Sequence, residues 1–229
     1  MPRSPPHCSN RSHRQRRHDH QGLGLGPAMA QYPGTSSPSQ FITPHLFLQT
    51  YQGHTHYIMN IAFNPKDSNT FVSACLDRTL KMWSIAASTP NFTMDAHEKG
   101  VNYVDFYPGS DRPYLVTTGD DKTVKVWDYL SKSCVQTLQG HTNNVSFAVF
   151  HPSLPVILSG SEDGTVKIWN SGTYRIEHTL SYSLERAWCL ALRKDTNEVA
   201  VGFDDGVVVF KVLTSLSYLS HPLNYHLAW

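Results

Sequence analysis

The sequence has few cysteines, little charge and no long apolar run, and each shortage removes a class of protein. Its four cysteines (Cys8, Cys75, Cys134, Cys189) are scattered. With no C-x-x-C pair and no H-x3-H partner, no zinc site is expected, and no metal or cofactor is implied. Cys75 and Cys189 fall among strand-forming residues and Cys134 opens another strand. All three are expected to be reduced, buried and inert, as suits a cytosolic compartment. No apolar stretch approaches ~18 residues, so no membrane span is expected, and residues 1–30 lack the apolar core of a secretory signal. Charged residues make up 16% with a net charge of +1, which argues against bulk attraction to nucleic acid or anionic membrane. Also missing are a Gly-x-Ser-x-Gly elbow, a phosphate-binding loop and an isolated pair of acids, so nothing supports an enzyme.

What the sequence does contain is strands and turns. Hydrophobic residues make up 40%, and glycine and proline number 14 each, as in a β-rich globular protein. The most legible stretch runs from Gln139 to Asn170. Val145, Phe147 and Val149 alternate with smaller or more polar residues, the period-2 signal of a strand. His151-Pro152-Ser153 breaks the chain, and Val156 to Ser159 forms a second apolar run. Ser161-Glu162-Asp163-Gly164 supplies the Asp-Gly of a tight hairpin, and Thr165 to Trp169 alternates again. Gly140-His141 opens the unit and Trp169-Asn170 closes it.

The unit recurs. Gln52-Gly53-His54 runs to Trp83-Ser84, and Ala96-His97 runs to Trp127-Asp128. The framing histidines His54, His97 and His141 stand 43 and 44 residues apart. Counting back from each tryptophan, an acid lies six residues earlier (Asp77, Asp121, Asp163) and a hydroxyl ten earlier (Ser73, Thr117, Ser159). A period of this length with Gly-His and Trp-Asp ends is the signature of WD40 repeats, so an all-β, partial propeller of about four blades is expected.

These residue types at this spacing point to a buried chain of hydrogen bonds. The histidine can bond the turn aspartate and the hydroxyl, and the hydroxyl can meet the indole N–H, so each polar group is satisfied as the blade closes. The three sets His54/Ser73/Asp77/Trp83, His97/Thr117/Asp121/Trp127 and His141/Ser159/Asp163/Trp169 are therefore read as structural. An active or metal site rarely recurs at a fold's repeat period. The fourth set is eroded: placing Asp205-Gly206 on Asp163-Gly164 keeps the strand pattern of Ala187, Cys189 and Ala191. It puts Lys211 at the tryptophan position, Val201 at the hydroxyl and Ser183 at the histidine. The hairpin turns also carry paired acids, Asp120-Asp121, Glu162-Asp163 and Asp204-Asp205. The second of each pair belongs to the structural set, which leaves Asp120, Glu162 and Asp204 as a possible face for a basic ligand.

Three regions are expected. Residues 1–44 are rich in Pro, Ser, Gly, His and Arg without a periodic apolar face, and read as a disordered tail. A nuclear-targeting or RNA-binding patch is the alternative, since residues 1–50 carry +4 and the remainder −3. Residues 45–212 hold the repeats, with Leu46 to Tyr51, Asn91 to Met94, Cys134 to Leu138 and Arg175 to Leu180 as linking outer strands between blades. Residues 213–229 show no repeat. Four blades alone expose flanks that a closed ring covers, so the unit is expected to be marginal in isolation and prone to aggregate or to pair with another copy.

Beyond the repeat period, the stretches GHTHYIMNIAFNPKDSNTFVSACLDRTLKMW, HEKGVNYVDFYPGSDRPYLVTTGDDKTVKVWDY, CVQTLQGHTNNVSFAVFHP and GSEDGTVKIWNSGTYRIEHTL closely resemble the coatomer beta-prime family over residues 51–212. The resemblance implies blades four to seven of that family's first propeller. It also implies a role in the COPI coat for Golgi-to-ER and intra-Golgi transport, peripheral on Golgi membrane and vesicles. The implied partners are other coatomer subunits, especially alpha, and dilysine tails of membrane cargo. Both ends depart from the family: residues 1–50 stand where earlier blades belong, and no second propeller follows Val212. A WD40 adaptor of another class, such as a ubiquitin-ligase receptor or RNA-associated scaffold, and a truncated paralogue are the competing readings.

Overall fold

The computed structural model describes residues 49–213. Every regular element in that span is a β-strand, in four antiparallel sheets that follow one another along the chain. The first sheet holds β1 (Ile58–Phe63), β2 (Thr70–Cys75), β3 (Thr79–Ser84) and β4 (Phe92–Asp95). The second holds β5 (Val101–Phe106), β6 (Tyr114–Gly119), β7 (Val124–Asp128) and β8 (Ser133–Leu138). The third holds β9 (Val145–Phe150), β10 (Val156–Ser161), β11 (Thr165–Asn170) and β12 (Ile176–Ser181). The fourth has three strands among the described residues, β13 (Ala187–Leu192), β14 (Glu198–Phe203) and β15 (Val207–Lys211). This is the expected all-β arrangement of four blades.

Each blade pairs its strands in sequence order, so short hairpins suffice. The first strand of each blade carries an irregularity at the same place, between Ile58 and Asn60, Val101 and Tyr103, Val145 and Phe147, and Ala187 and Cys189. The outer strands β4, β8 and β12 fall where linking strands were expected, each paired to the third strand of its own blade before the chain enters the next. The counterpart expected at Leu46 to Tyr51 lies mostly outside the described residues, and Gln49 to Tyr51 carry no strand. The expectations for residues 1–44 and 214–229 lie outside the described residues altogether.

The core is divided between the blades rather than gathered in one place. One cluster joins Val72, Leu80 and Met82 of the first blade to Val104, Phe106 and Leu115 of the second. A second joins Val116, Val124 and Val126 to Val145, Phe150 and Ile157. A third joins Leu158, Val166 and Ile168 to Val199, Val201 and Phe203. The strands of the second and third blades carry apolar residues on both faces because those blades are covered on two sides, which suppresses simple polar–apolar alternation.

Two cysteines depart from the sequence reading. Cys75 is buried, but Cys134 and Cys189 are exposed. Cys134 sits on the outermost strand of its blade, where alternate side chains face solvent. Cys189 occupies the position of the buried Phe147 one blade earlier, on the side of the fourth blade that no further blade covers.

Candidate functional site

The three intact sets come together with nearly superimposable geometry. In the first blade Trp83 Nε1 donates to Ser73 Oγ at 2.8 Å, Ser73 Oγ lies 2.7 Å from His54 Nε2, and His54 Nδ1 lies 2.8 Å from Asp77 Oδ2. The matching distances are 2.9, 2.8 and 2.9 Å for Trp127, Thr117, His97 and Asp121. They are 2.8, 2.9 and 2.9 Å for Trp169, Ser159, His141 and Asp163. Indole N–H can only donate, so the hydroxyl oxygen accepts from it and keeps its own proton available for Nε2, while an Nδ1–H points at the aspartate.

The aspartate is the hub. Asp77 also accepts from the Thr55 and Thr79 N–H groups and from the Thr79 hydroxyl at 2.7 Å. Thr123 and Thr165 hydroxyls repeat that contact with Asp121 and Asp163. Sequence reasoning missed these threonines, although each lies two residues after its aspartate; the eroded fourth copy has Val207 there. Burial alone would raise these carboxyl pKa values, but the converging donors win. Asp163 is held down to about 2 by Thr165, the Thr142 N–H and His141, and Asp77 and Asp121 lie lower still. Burial, opposed by Asp163, lowers the pKa of His141.

The order Asp–His–hydroxyl matches a serine-hydrolase triad, yet the surroundings do not. Ser73, Thr117 and Ser159 are buried beneath the histidine, with the indole on the other side. A nucleophile must reach a substrate carbonyl beside an oxyanion hole; here the hydroxyl is enclosed and its lone pair is occupied. His54, Cys75 and Asp77 place three potential metal ligands within 4.8 Å of one another. Cys75, however, donates to the His56 carbonyl and accepts from the Asp77 N–H. Ser161 makes the same pair of contacts in the third blade, to Asn144 O and from the Asp163 N–H. Cys75 therefore caps the turn as Ser161 does two blades later.

The turns that carry the aspartates need one residue in the left-handed region. Arg78, Lys122 and Gly164 fill it with φ of 73°, 67° and 79°. Glycine is thus not required there. At Gly140 space is tighter, because an added Cβ would come within 3.3 Å of the Trp169 ring and 2.8 Å of the flexible end of Ile176. In the fourth blade Val201 is buried at the hydroxyl position, and Asp205 is exposed.

The other acids of the paired turns are not equally free. Asp120 Oδ1 accepts from Asn102 at 2.8 Å and Glu162 Oε1 from Asn144 at 3.2 Å, each a neutral amide partner. Asp204 accepts from Arg186 Nε at 2.9 Å, from the Arg186 N–H and from Trp188 Nε1 at 2.7 Å. These bonds bring its pKa down to about 2, and Arg186 offsets its charge. Asp204 is therefore not the free acid that the turn pattern suggested.

The family model for the WD domain, G-beta repeat, matches residues 46–84, 88–128 and 132–170 and passes over the eroded fourth copy. Coatomer subunit beta' of Rattus norvegicus is 58% identical over 181 residues, 79% of this chain and 20% of the relative. Coatomer subunit beta' of Drosophila melanogaster is 60% identical over 164 residues, 72% of this chain and 18% of the relative. The probable coatomer subunit beta' of Schizosaccharomyces pombe is 56% identical over 165 residues, 72% of this chain and 21% of the relative. The chain thus spans about a fifth of the length of the curated relatives it matches. With the hydrogen-bonded sets in three successive blades and the family match over the same segments, the chain belongs to the WD40 repeat family, and its repeats are homologous to a stretch of coatomer subunit beta'.

Proposed function

We propose that the chain is an interaction module of a COPI-type vesicle coat, without catalysis of its own. It works on the cytosolic side of Golgi membranes and vesicles, in contact with other coatomer subunits, alpha among them. The observation that carries this reading is the 54–60% identity to coatomer beta' subunits over 72–79% of the chain. A propeller fold alone leaves function open, and identity of that extent to one family narrows it. The buried sets hold the blades, so binding falls to the loops.

Within that role, the turn face bearing Asp120 and Glu162 attracts lysine-bearing cytosolic tails such as dilysine signals, with Asp204 contributing least because Arg186 already sits on it. The test is fluorescence anisotropy of a labelled peptide ending in a dilysine signal, with the full chain and its Asp120→Lys/Glu162→Lys variant. The expected result is at least ~10-fold weaker binding by the variant, and a difference that shrinks with added salt as surface charge is screened. Equal affinity would remove the acidic face from the proposal.

A further inference from the structure

A notch of about 360 Å³ opens between the first two blades, a size in the lower part of the range for clefts that hold ligands. Met82, Phe92, Tyr129 and Leu130 give it an apolar lining, and Lys66, Asp67 and Lys132 supply its charges. Turns alternate ends in a sheet whose strands pair in sequence order. The β2–β3 and β6–β7 turns that hold the aspartates therefore share one end of the blades. The β1–β2 loop and the β3–β4 and β7–β8 turns, which form the notch, share the other.

Two of the lining side chains are peculiar to this junction. Just past each tryptophan of the first three blades the chain makes the same capped turn. Asp128 Oδ1 accepts from the Leu130 and Ser131 N–H groups, Asn170 Oδ1 from those of Gly172 and Thr173, and Ser84 Oγ from that of Ala86. Where the first and third blades carry alanine and glycine, the second carries Leu130, which is 72% exposed. Strand register likewise aligns Phe92 with Gln136 and His178, opposite Met82, Val126 and Ile168. The fold thus needs no large apolar side chain at either place, and Leu130, held open by its turn, buries little on folding. Apolar groups left open beside a cleft mark an interaction surface.

The charges select the occupant. Lys66 Nζ donates to the Arg112 carbonyl, and Lys132 Nζ lies 4.5 Å from the centre of the Phe92 ring. Neither ammonium is in an ion pair among the described residues. Asp67 spends a carboxylate oxygen on the Asn69 N–H. We infer that the notch takes an extended segment of a partner protein in which an aromatic side chain is flanked by carboxylates. The ring lies against Phe92 and Leu130, and the carboxylates reach Lys66 and Lys132. Two lysines on a chain whose residues 51–229 carry −3 attract a nucleic acid or an anionic bilayer only weakly. The inference goes beyond the lysine-tail reading, since it concerns the other end of the blades and a ligand of opposite charge.

The test is fluorescence anisotropy of a labelled peptide, GSEEFEEGS, with the full chain. The expected result is saturable binding that weakens about fivefold or more with Leu130→Ser, and equally when alanine replaces the peptide's phenylalanine. Lys66→Glu/Lys132→Glu loses this peptide and gains GSKKFKKGS, and that reversal separates loss of docking from loss of folding. A dilysine peptide run alongside reads the opposite end of the blades, so the two sites are tested separately. Absence of saturable binding overturns the inference, as does equal binding of the phenylalanine and alanine peptides, the mark of charge alone. An affinity that Leu130→Ser leaves unchanged overturns it too. So does Leu130-dependent binding to vesicles of phosphatidylserine and phosphatidylcholine without binding of the peptide, which assigns the notch to a membrane.

Discussion

Asp105 stands on β5 where the corresponding positions in the other blades hold Ala62, Val149 and Ala191. A carboxylate there faces the packing between blades, beside Tyr103. Its hydrogen bond among the described residues is from the Phe106 N–H. Burial outweighs that single donor and raises its pKa from 3.8 to about 6. Burial, and then the Asp105 charge, also raises the pKa of Tyr103.

The sign of the effect on stability follows from the direction. Between the unfolded and folded pKa values the folded state binds the extra proton, so the Asp105 contribution is full below pH 3.8 and is lost as pH rises through about 6. A rise of that size corresponds to about 3 kcal/mol at neutral pH, an upper bound because part of the side chain reaches solvent. Asp105→Asn keeps the shape and an acceptor for the Phe106 N–H but carries no charge at any pH. Urea unfolding followed by tryptophan fluorescence should show the variant more stable by about 1–3 kcal/mol near pH 7.5, with the gain shrinking to about 1 kcal/mol or less near pH 4.5. A gain of the same size at both pH values would refute the argument from ionisation. A less stable variant near pH 7.5 would show that the carboxylate has a partner.

Two further outcomes test the buried sets. Ser159→Ala strips Trp169 Nε1 and His141 Nε2 of their shared partner and should cost about 2–4 kcal/mol in urea unfolding. Ser146→Ala, which removes a buried hydroxyl that has no partner, should cost at most about 0.5 kcal/mol; equal losses would deny the network any energetic role. In the Asp105→Asn background, where the opposing carboxylate is gone, the melting temperature should fall as pH drops below 6.5. The cause is that His141, with its depressed pKa, resists the proton that the unfolded chain accepts. It should fall again between 3.8 and about 2 as Asp163 protonates, and a melting temperature flat from pH 7 to 3 would contradict both.

Taken alone, the sequence determined the repeat, the strands and the members of the buried sets. Blades are local: each strand pairs with its chain neighbour, and the polar chain from tryptophan to aspartate spans residues at fixed offsets within one copy. The missed threonines at 79, 123 and 165 were legible in the same way, two residues past each aspartate. Only the tertiary structure showed that the turn acids are already partnered. Asp120, Glu162 and Asp204 each bond the residue eighteen positions earlier, which is Asn102, Asn144 and Arg186, so of the three Asp204 meets a cation. The tertiary structure also decided which apolar and cysteine side chains are covered. Phe106 and Phe63 have the same place in their blades and the same side chain, yet one is enclosed and the other open. Burial at a blade flank is set by the neighbouring blade and not by the residue itself.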